Sequence, residues 1–157
     1  MKQVLFVCLG NICRSPSAEA VFNAVIQKNG LEREISCDSA GTAAYHEGEP
    51  ADYRMKQFAR KRGYELTSIS RPFNARIDFD RFDYIIGMDR TNVRDLKSMA
   101  RNENDKKKIA LMTDFCVNTK HDAVPDPYYG GASGFELVLD ILEDACDGLL
   151  KYIQKEL

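Results

Sequence analysis

The chain has 157 residues, enough for one domain with a real hydrophobic core. Its hydrophobic content of 44% and charged content of 29% are those of an ordinary soluble globular protein, and its apolar runs are too short to span a bilayer. A formal charge of -2 excludes a general attraction for nucleic acid or acidic membranes, so any anion must be held locally.

The first predicted element is a buried strand, Val4 to Val7, closed by Cys8. A short loop follows, then Ser15-Pro16, a good N-cap and first helical residue for a helix over residues 16–29. That helix carries Ala18, Val21, Phe22, Val25 and Ile26 on one face and stops at Asn29-Gly30. Glu34 to Ser39 reads as a second strand, running out into Ala40-Gly41-Thr42. A polar loop with Gly48 and Pro50 leads to a helix over 51–62, with Met55, Phe58 and Ala59 apolar. Residues 64–80 show no clear pattern, and Pro72 argues against regular structure. Phe82 to Met88 is a buried strand, followed by a helix from about 91 to 101. The lysines at 106–108 read as a solvated approach to a fourth strand, Ile109 to Met112. Residues 113–132 have little regular pattern. Ser133 with Glu136 forms a capping box for a last helix. Its stripe is Phe135, Val138, Leu139, Leu142, Ala145, Cys146, Leu149 and Ile153.

Strand and helix alternating four times predict an α/β fold in a single domain over 1–157, a four-stranded parallel sheet with helices on both faces; the arrangement expected of it is flavodoxin-like, order 2-1-3-4. Ligands in such sheets bind beyond the carboxyl ends of the strands, where the strand order reverses. Cys8 lies at that end of the first strand.

The loop after Cys8 is Leu9-Gly10-Asn11-Ile12-Cys13-Arg14, a C-x5-R spacing between a strand and a helix start. Helix starts present unpaired N–H groups and a positive dipole end, which favour a bound anion and a thiolate, the nucleophilic form of cysteine. The Arg14 guanidinium can grip two phosphate oxygens at once. The bland alternative is a buried cysteine serving as a small hydrophobe, but none of the other four cysteines has an arginine at that spacing. A second constellation is Val124-Pro125-Asp126-Pro127-Tyr128-Tyr129-Gly130-Gly131, where two prolines stiffen the backbone around one carboxylate. By itself this also reads as an ordinary turn with surface tyrosines. Beside an anion cradle, it offers the proton that a leaving oxygen needs.

Five cysteines, with no C-x-x-C pair, suggest neither a disulfide framework nor a zinc site. His46 and His121 lie far apart and read as surface histidines, so neither metal nor cofactor is expected. The N-terminus lacks the long apolar region of a signal peptide, and a reducing, cytoplasmic setting is the expectation.

V-C-L-G-N-I-C-R-S-P near the N-terminus and D-P-Y-Y-G late in the chain resemble the low-molecular-weight protein tyrosine phosphatase family. D-S-A-G-T, E-P-A-D-Y-R at 49–54 and the M-D after the third strand are similar too. The resemblance implies metal-free hydrolysis of phosphotyrosine through a phosphocysteine intermediate. Cys8 would be the nucleophile and Asp126 the general acid, then base; Arg14 and the amides of Leu9, Gly10, Asn11, Ile12, Cys13 and Arg14 would bind phosphate. Ser15 would hydrogen-bond Cys8, Asn11 and Ser39 would brace the loop, and Tyr45, Tyr128 and Tyr129 would wall the cleft. Cys13 would pair with Cys8 under oxidation and protect it. The implied partners are phosphotyrosine-containing proteins or peptides, met by a monomer or weak self-associate.

Four other readings compete. Thioredoxin-coupled arsenate reductases share the fold and loop but need further cysteines after the third strand, and Asp89 to Met112 contains none. Protein-arginine phosphatases of the family carry Thr where this chain has Ile12. A flavodoxin-like cofactor binder would leave Cys8 and Arg14 without use. A phosphotyrosine-binding module without catalysis requires a misplaced Asp126.

Overall fold

The computed structural model describes residues 1–157 except for the side chain of Tyr129. Val4, Leu5, Phe6 and Val7 are all buried, the pattern of a strand covered on both faces rather than one. They lie in β1 (Lys2–Cys8), which pairs in parallel with β2 (Ile35–Gly41) on one side and β3 (Tyr84–Gly87) on the other. β4 (Ile109–Leu111) pairs with β3, giving the order β2-β1-β3-β4 foreseen from the sequence. β1 is followed by crossovers to opposite sides, so its carboxyl end is the switch point.

The pleat sends alternate residues of β1 to opposite faces. Val4, Phe6 and Cys8 join the cluster built with α1 (Arg14–Lys28), α2 (Tyr53–Lys61) and α6 (Gly131–Gln154). Leu5 and Val7 join Phe79 of α3 (Ala75–Arg81) and Leu96 of α4 (Arg90–Met99) on the other. Helices thus cover both faces, and Cys8 points toward the α1 side. The whole stripe read for the last helix, Phe135 through Ile153, is buried. Phe135 stacks on Phe58 of α2 with ring centroids 5.2 Å apart. Fully burying an aromatic of this kind is worth about 1.5–3 kcal/mol.

Several expectations are corrected. α1 begins at Arg14 with Cys13 at its N-cap, so Ser15 lies inside the first turn and Pro16 follows it rather than opening the helix. The Ser133–Glu136 capping box does not form. α6 starts at Gly131, Ser133 Oγ donates to Gly130 O at 2.9 Å, and Glu136 pairs with Arg62 at 3.3 Å. Residues 64–80 contain α3, capped by the Asn74 side chain at Arg76 N–H, 3.0 Å. Pro72 sits before it, bridged to Gly41 at the end of β2. The lysine run lies partly in a short helix, α5 (Glu103–Lys107), whose acid Asp105 is buried against Arg101 Nε at 2.8 Å. Within 113–132 the chain makes two 3-10 turns, Met112–Phe115 and Pro127–Tyr129.

Candidate active site

Cys8 is the last residue of β1 and only 3% exposed. Its Sγ lies 3.0 Å from Ser15 Oγ and accepts the Asn11 N–H at 3.3 Å. Ser15 Oγ in turn accepts from Asn11 Nδ2 at 2.8 Å, which leaves the serine proton facing the sulfur, with Ala40 O a longer alternative at 3.5 Å. Asn11 adopts a φ of 56°, a left-handed conformation that asparagine tolerates. Its amide holds the turn from both ends: Nδ2 reaches Ser15, and Oδ1 accepts Arg71 N–H at 3.0 Å.

Among the described residues, the amides of Leu9, Gly10, Ile12, Cys13 and Arg14 find no acceptor within the chain. The start of α1 adds its dipole to the same place. Arg14 is 7% exposed, and only its Nη1 is engaged, donating to Asp89 Oδ2 at 2.7 Å and Val124 O at 3.2 Å. The Nε–Nη2 edge has no partner among the described residues, so a planar two-donor fork remains for an anion. Asp89 also caps α4 through Asn92 N–H at 2.8 Å, which ties the guanidinium to a helix start.

Asp126 lies in the wall of a cleft of about 100 Å³, with Cys8, Leu9, Gly10, Ile12, Cys13, Arg14, Tyr45, His46 and Tyr128. Its Oδ1 accepts Tyr128 N–H at 3.0 Å, which orients the carboxyl, and among the described residues Oδ2 has no partner. The volume is below the roughly 300–1,000 Å³ of sites that enclose drug-sized ligands, and suits one side chain better than a flavin. Tyr128 donates its hydroxyl to Asp52 Oδ1 at 2.9 Å, while Asp52 Oδ2 caps α2 at Met55 N–H and Asp52 N–H reaches Ile12 O at 2.8 Å. Burial, then the Asp52 bond, pushes the Tyr128 hydroxyl up, so it stays protonated. Cys13 is pushed up to about 12 by burial and then by the Asp52 charge, and it remains a thiol. Tyr45 is 77% exposed at the rim. The Tyr129 side chain lies outside the described residues.

Two sequence expectations change. Ser39 does not brace the loop; its hydroxyl donates to Glu19 Oε1 on α1 at 2.6 Å. That bracing comes from Ser70, whose Oγ donates to Gly10 O at 2.9 Å, and from Arg71. Both lie in the stretch that carried no pattern. His46 is not a plain surface histidine: a Cβ on Gly10 would stand 3.0 Å from its Cδ2, and its Nδ1 meets Glu49 Oε2 at 2.5 Å. Asp89, Ser70, Arg71 and His46 are the site residues that the sequence did not single out. Only the M-D after the third strand hinted at the first of them. Among the described residues, no three His, Cys, Asp or Glu side chains gather in a way that could hold a metal ion.

The model of the family described as low molecular weight phosphotyrosine protein phosphatase matches residues 3–157. A crystal structure of a protein tyrosine phosphatase from Entamoeba histolytica, with Hepes in its active site, is 51% identical with a TM-score of 0.96, covering 99% of each chain. A Bacillus subtilis low molecular weight protein-tyrosine-phosphatase is 42% identical over 156 residues, 99% of this chain and 98% of its own. A Drosophila arginine phosphatase is 32% identical with a TM-score of 0.88, covering 98% of each chain.

Proposed function

The chain belongs to the low molecular weight phosphotyrosine protein phosphatase family, and from that premise we propose that it hydrolyses phosphotyrosine in proteins through a phosphocysteine on Cys8. The observation that carries this reading is the Cys8 sulfur held by Ser15 Oγ at 3.0 Å and Asn11 N–H at 3.3 Å, on the floor of a cleft that Asp126 lines. In the first step the Cys8 thiolate attacks phosphorus, the ester bond to the phenol oxygen breaks, and Asp126 gives that oxygen its proton. In the second, the Asp126 carboxylate takes a proton from water, whose oxygen displaces sulfur and releases inorganic phosphate.

A phosphate monoester brings up to two negative charges, which a thiolate alone would repel. The unpartnered loop amides, the α1 dipole and the free edge of Arg14 offset that repulsion and stabilise the equatorial oxygens as charge spreads over them. Residues 1–157 act in this reading as one phosphatase domain, as a monomer or weak self-associate in the cytoplasm. Among the described residues no helix is long and apolar enough to cross a membrane. Ser15 and Asn11 position the thiolate, Tyr45 and Tyr128 flank the substrate ring, and Cys13 closes a protective disulfide onto an oxidised Cys8.

The rival substrate is phosphoarginine, suggested by the Drosophila relative. Ile12 lines the cleft with a branched apolar side chain, which suits an aryl ring better than a guanidinium. The test is turnover of an aryl phosphate, a phosphotyrosine peptide and a phosphoarginine peptide by the parent, Cys8→Ser and Asp126→Ala. No turnover is expected from Cys8→Ser, and a loss of about 10²–10⁴-fold from Asp126→Ala. Undiminished activity in Cys8→Ser ends the proposal, and faster turnover of phosphoarginine reverses the substrate assignment. In the same assay, peroxide should inactivate Cys13→Ser less reversibly than the parent; equal recovery with thiol removes the redox role.

A further inference from the structure

α4 carries Arg90, Arg94 and Lys97 at positions i, i+4 and i+7, so the three cations share one face. With Val93 between them and Leu111 of β4 beneath, they line a shallow hollow that holds no acidic side chain. Arg90 also lines an adjoining hollow with Thr113, Lys120 and His121. Asp114 and Asp122 share this second hollow, so the two together set four fixed cations against two carboxylates, in a chain whose formal charge is -2.

The α4 cations differ from the arginines that the chain holds in ion-pair networks. Arg62 meets Glu136, Asp140 and Glu143, Arg71 meets Asp38 and Asp78, and Arg101 meets Asp80 and Asp105. Among the described residues Arg90 and Lys97 form no ion pair, and the one acid near Arg94 is Asp95, at 4.0 Å. The strip also starts beside the catalytic groups. Arg90 directly follows Asp89, the residue that holds Arg14, and it leaves the sheet at the same carboxyl end as Cys8. Seven helical residues span about 10 Å, the reach of about three residues of extended peptide.

We propose that this α4 face docks an acidic segment of the substrate, carboxylate or phosphate side chains within a few residues of the phosphotyrosine. The inference rests on the phosphatase reading above and adds to it a preference among phosphotyrosine proteins. Charge on the strip acts on binding and leaves the chemical step alone, because none of its side chains lines the catalytic cleft.

The experiment compares three substrates: an aryl phosphate with no flanking chain, a phosphotyrosine peptide with neutral flanks, and the same peptide with glutamates or a second phosphate on one side. The parent should show the highest kcat/KM on the acidic peptides, through a lower KM at constant kcat. The doubly reversed variant Arg94→Glu, Lys97→Glu should lose about tenfold in kcat/KM on the acidic peptides. It should match the parent on the aryl phosphate and the neutral peptide. Salt should erase the parent's preference as the screening length falls below about 10 Å. Equal kcat/KM for acidic and neutral peptides in the parent, or an equal loss on both in the variant, overturns the docking strip. Failure of the parent to hydrolyse the aryl phosphate would instead overturn the phosphatase reading on which the strip depends.

Discussion

The hydroxyl of Ser15 accepts from Asn11 Nδ2 at 2.8 Å, so its own proton is directed to Cys8 3.0 Å away. Ser15→Ala removes a donor to a charged sulfur, worth about 1.5–3 kcal/mol. Ser15→Ala should therefore lower kcat/KM on an aryl phosphate by about 10–100-fold, measured on folded protein. An unchanged kcat/KM, or a loss matched by the loss of folded protein, would show that Ser15 serves folding alone. The same serine shows what residue patterns conceal. From sequence it was both a helix cap and a partner of Cys8, and only the second role is realised, because α1 starts two residues earlier, at Arg14. Ser39 was legible as a polar residue at the end of β2, but whether it faced the loop or α1 depended on Glu19, twenty residues away in sequence.

Among the elements, α6 was the most fully legible, because its apolar stripe at helical spacing requires a long buried face. Its glycine was not. A Cβ on Gly148 would stand 1.7 Å from the carbonyl oxygen of Phe115, in the turn that follows β4. Backbone cannot yield there as a side chain tip could. Gly148→Ala should therefore cost about 1–3 kcal/mol and lower the thermal midpoint by several degrees, measured by calorimetry. An unchanged midpoint would mean that the turn moves freely. The stretch 64–80 was illegible for a related reason. Its ordering comes from Asp78, buried against Arg71 at 3.1 Å, and from the pairing of Gly41 with Pro72. These are contacts with no periodic signature.

The whole molecule responds to pH through carboxylates that fold into hydrogen bonds. Asp144 on α6 is 8% exposed; burial works against its charge, yet the Thr119 hydroxyl and the amides of Val117, Asn118 and Thr119 outweigh it and hold it below the usual range. A carboxylate depressed in the folded state stabilises that state above its unfolded value, about 3.9. That stability is lost as pH falls through the lower folded value. The midpoint of Asp144→Asn should thus lie below the parent's by a constant amount above about pH 5, with the gap closing below about pH 4. A gap that persists in acid would assign the loss to packing instead of charge. Glu19, raised mainly by burial, works with the opposite sign.

The sequence by itself determined the alternation of strands and helices, the helices on both faces, the C-x5-R loop at the end of β1 and the acid held between prolines. Those features follow from residue periodicity and from backbone restrictions that act over a few neighbours. Only the tertiary structure decided that Asp89 holds Arg14, that Ser70 and Arg71 brace the loop in place of Ser39, and that His46 overlies Gly10. It likewise left Arg90 and Lys97 on one face of α4 without an ion pair among the described residues. Each of these is a pairing between segments far apart in the chain, and its partner is chosen by how the helices lie on the sheet, which no local pattern encodes.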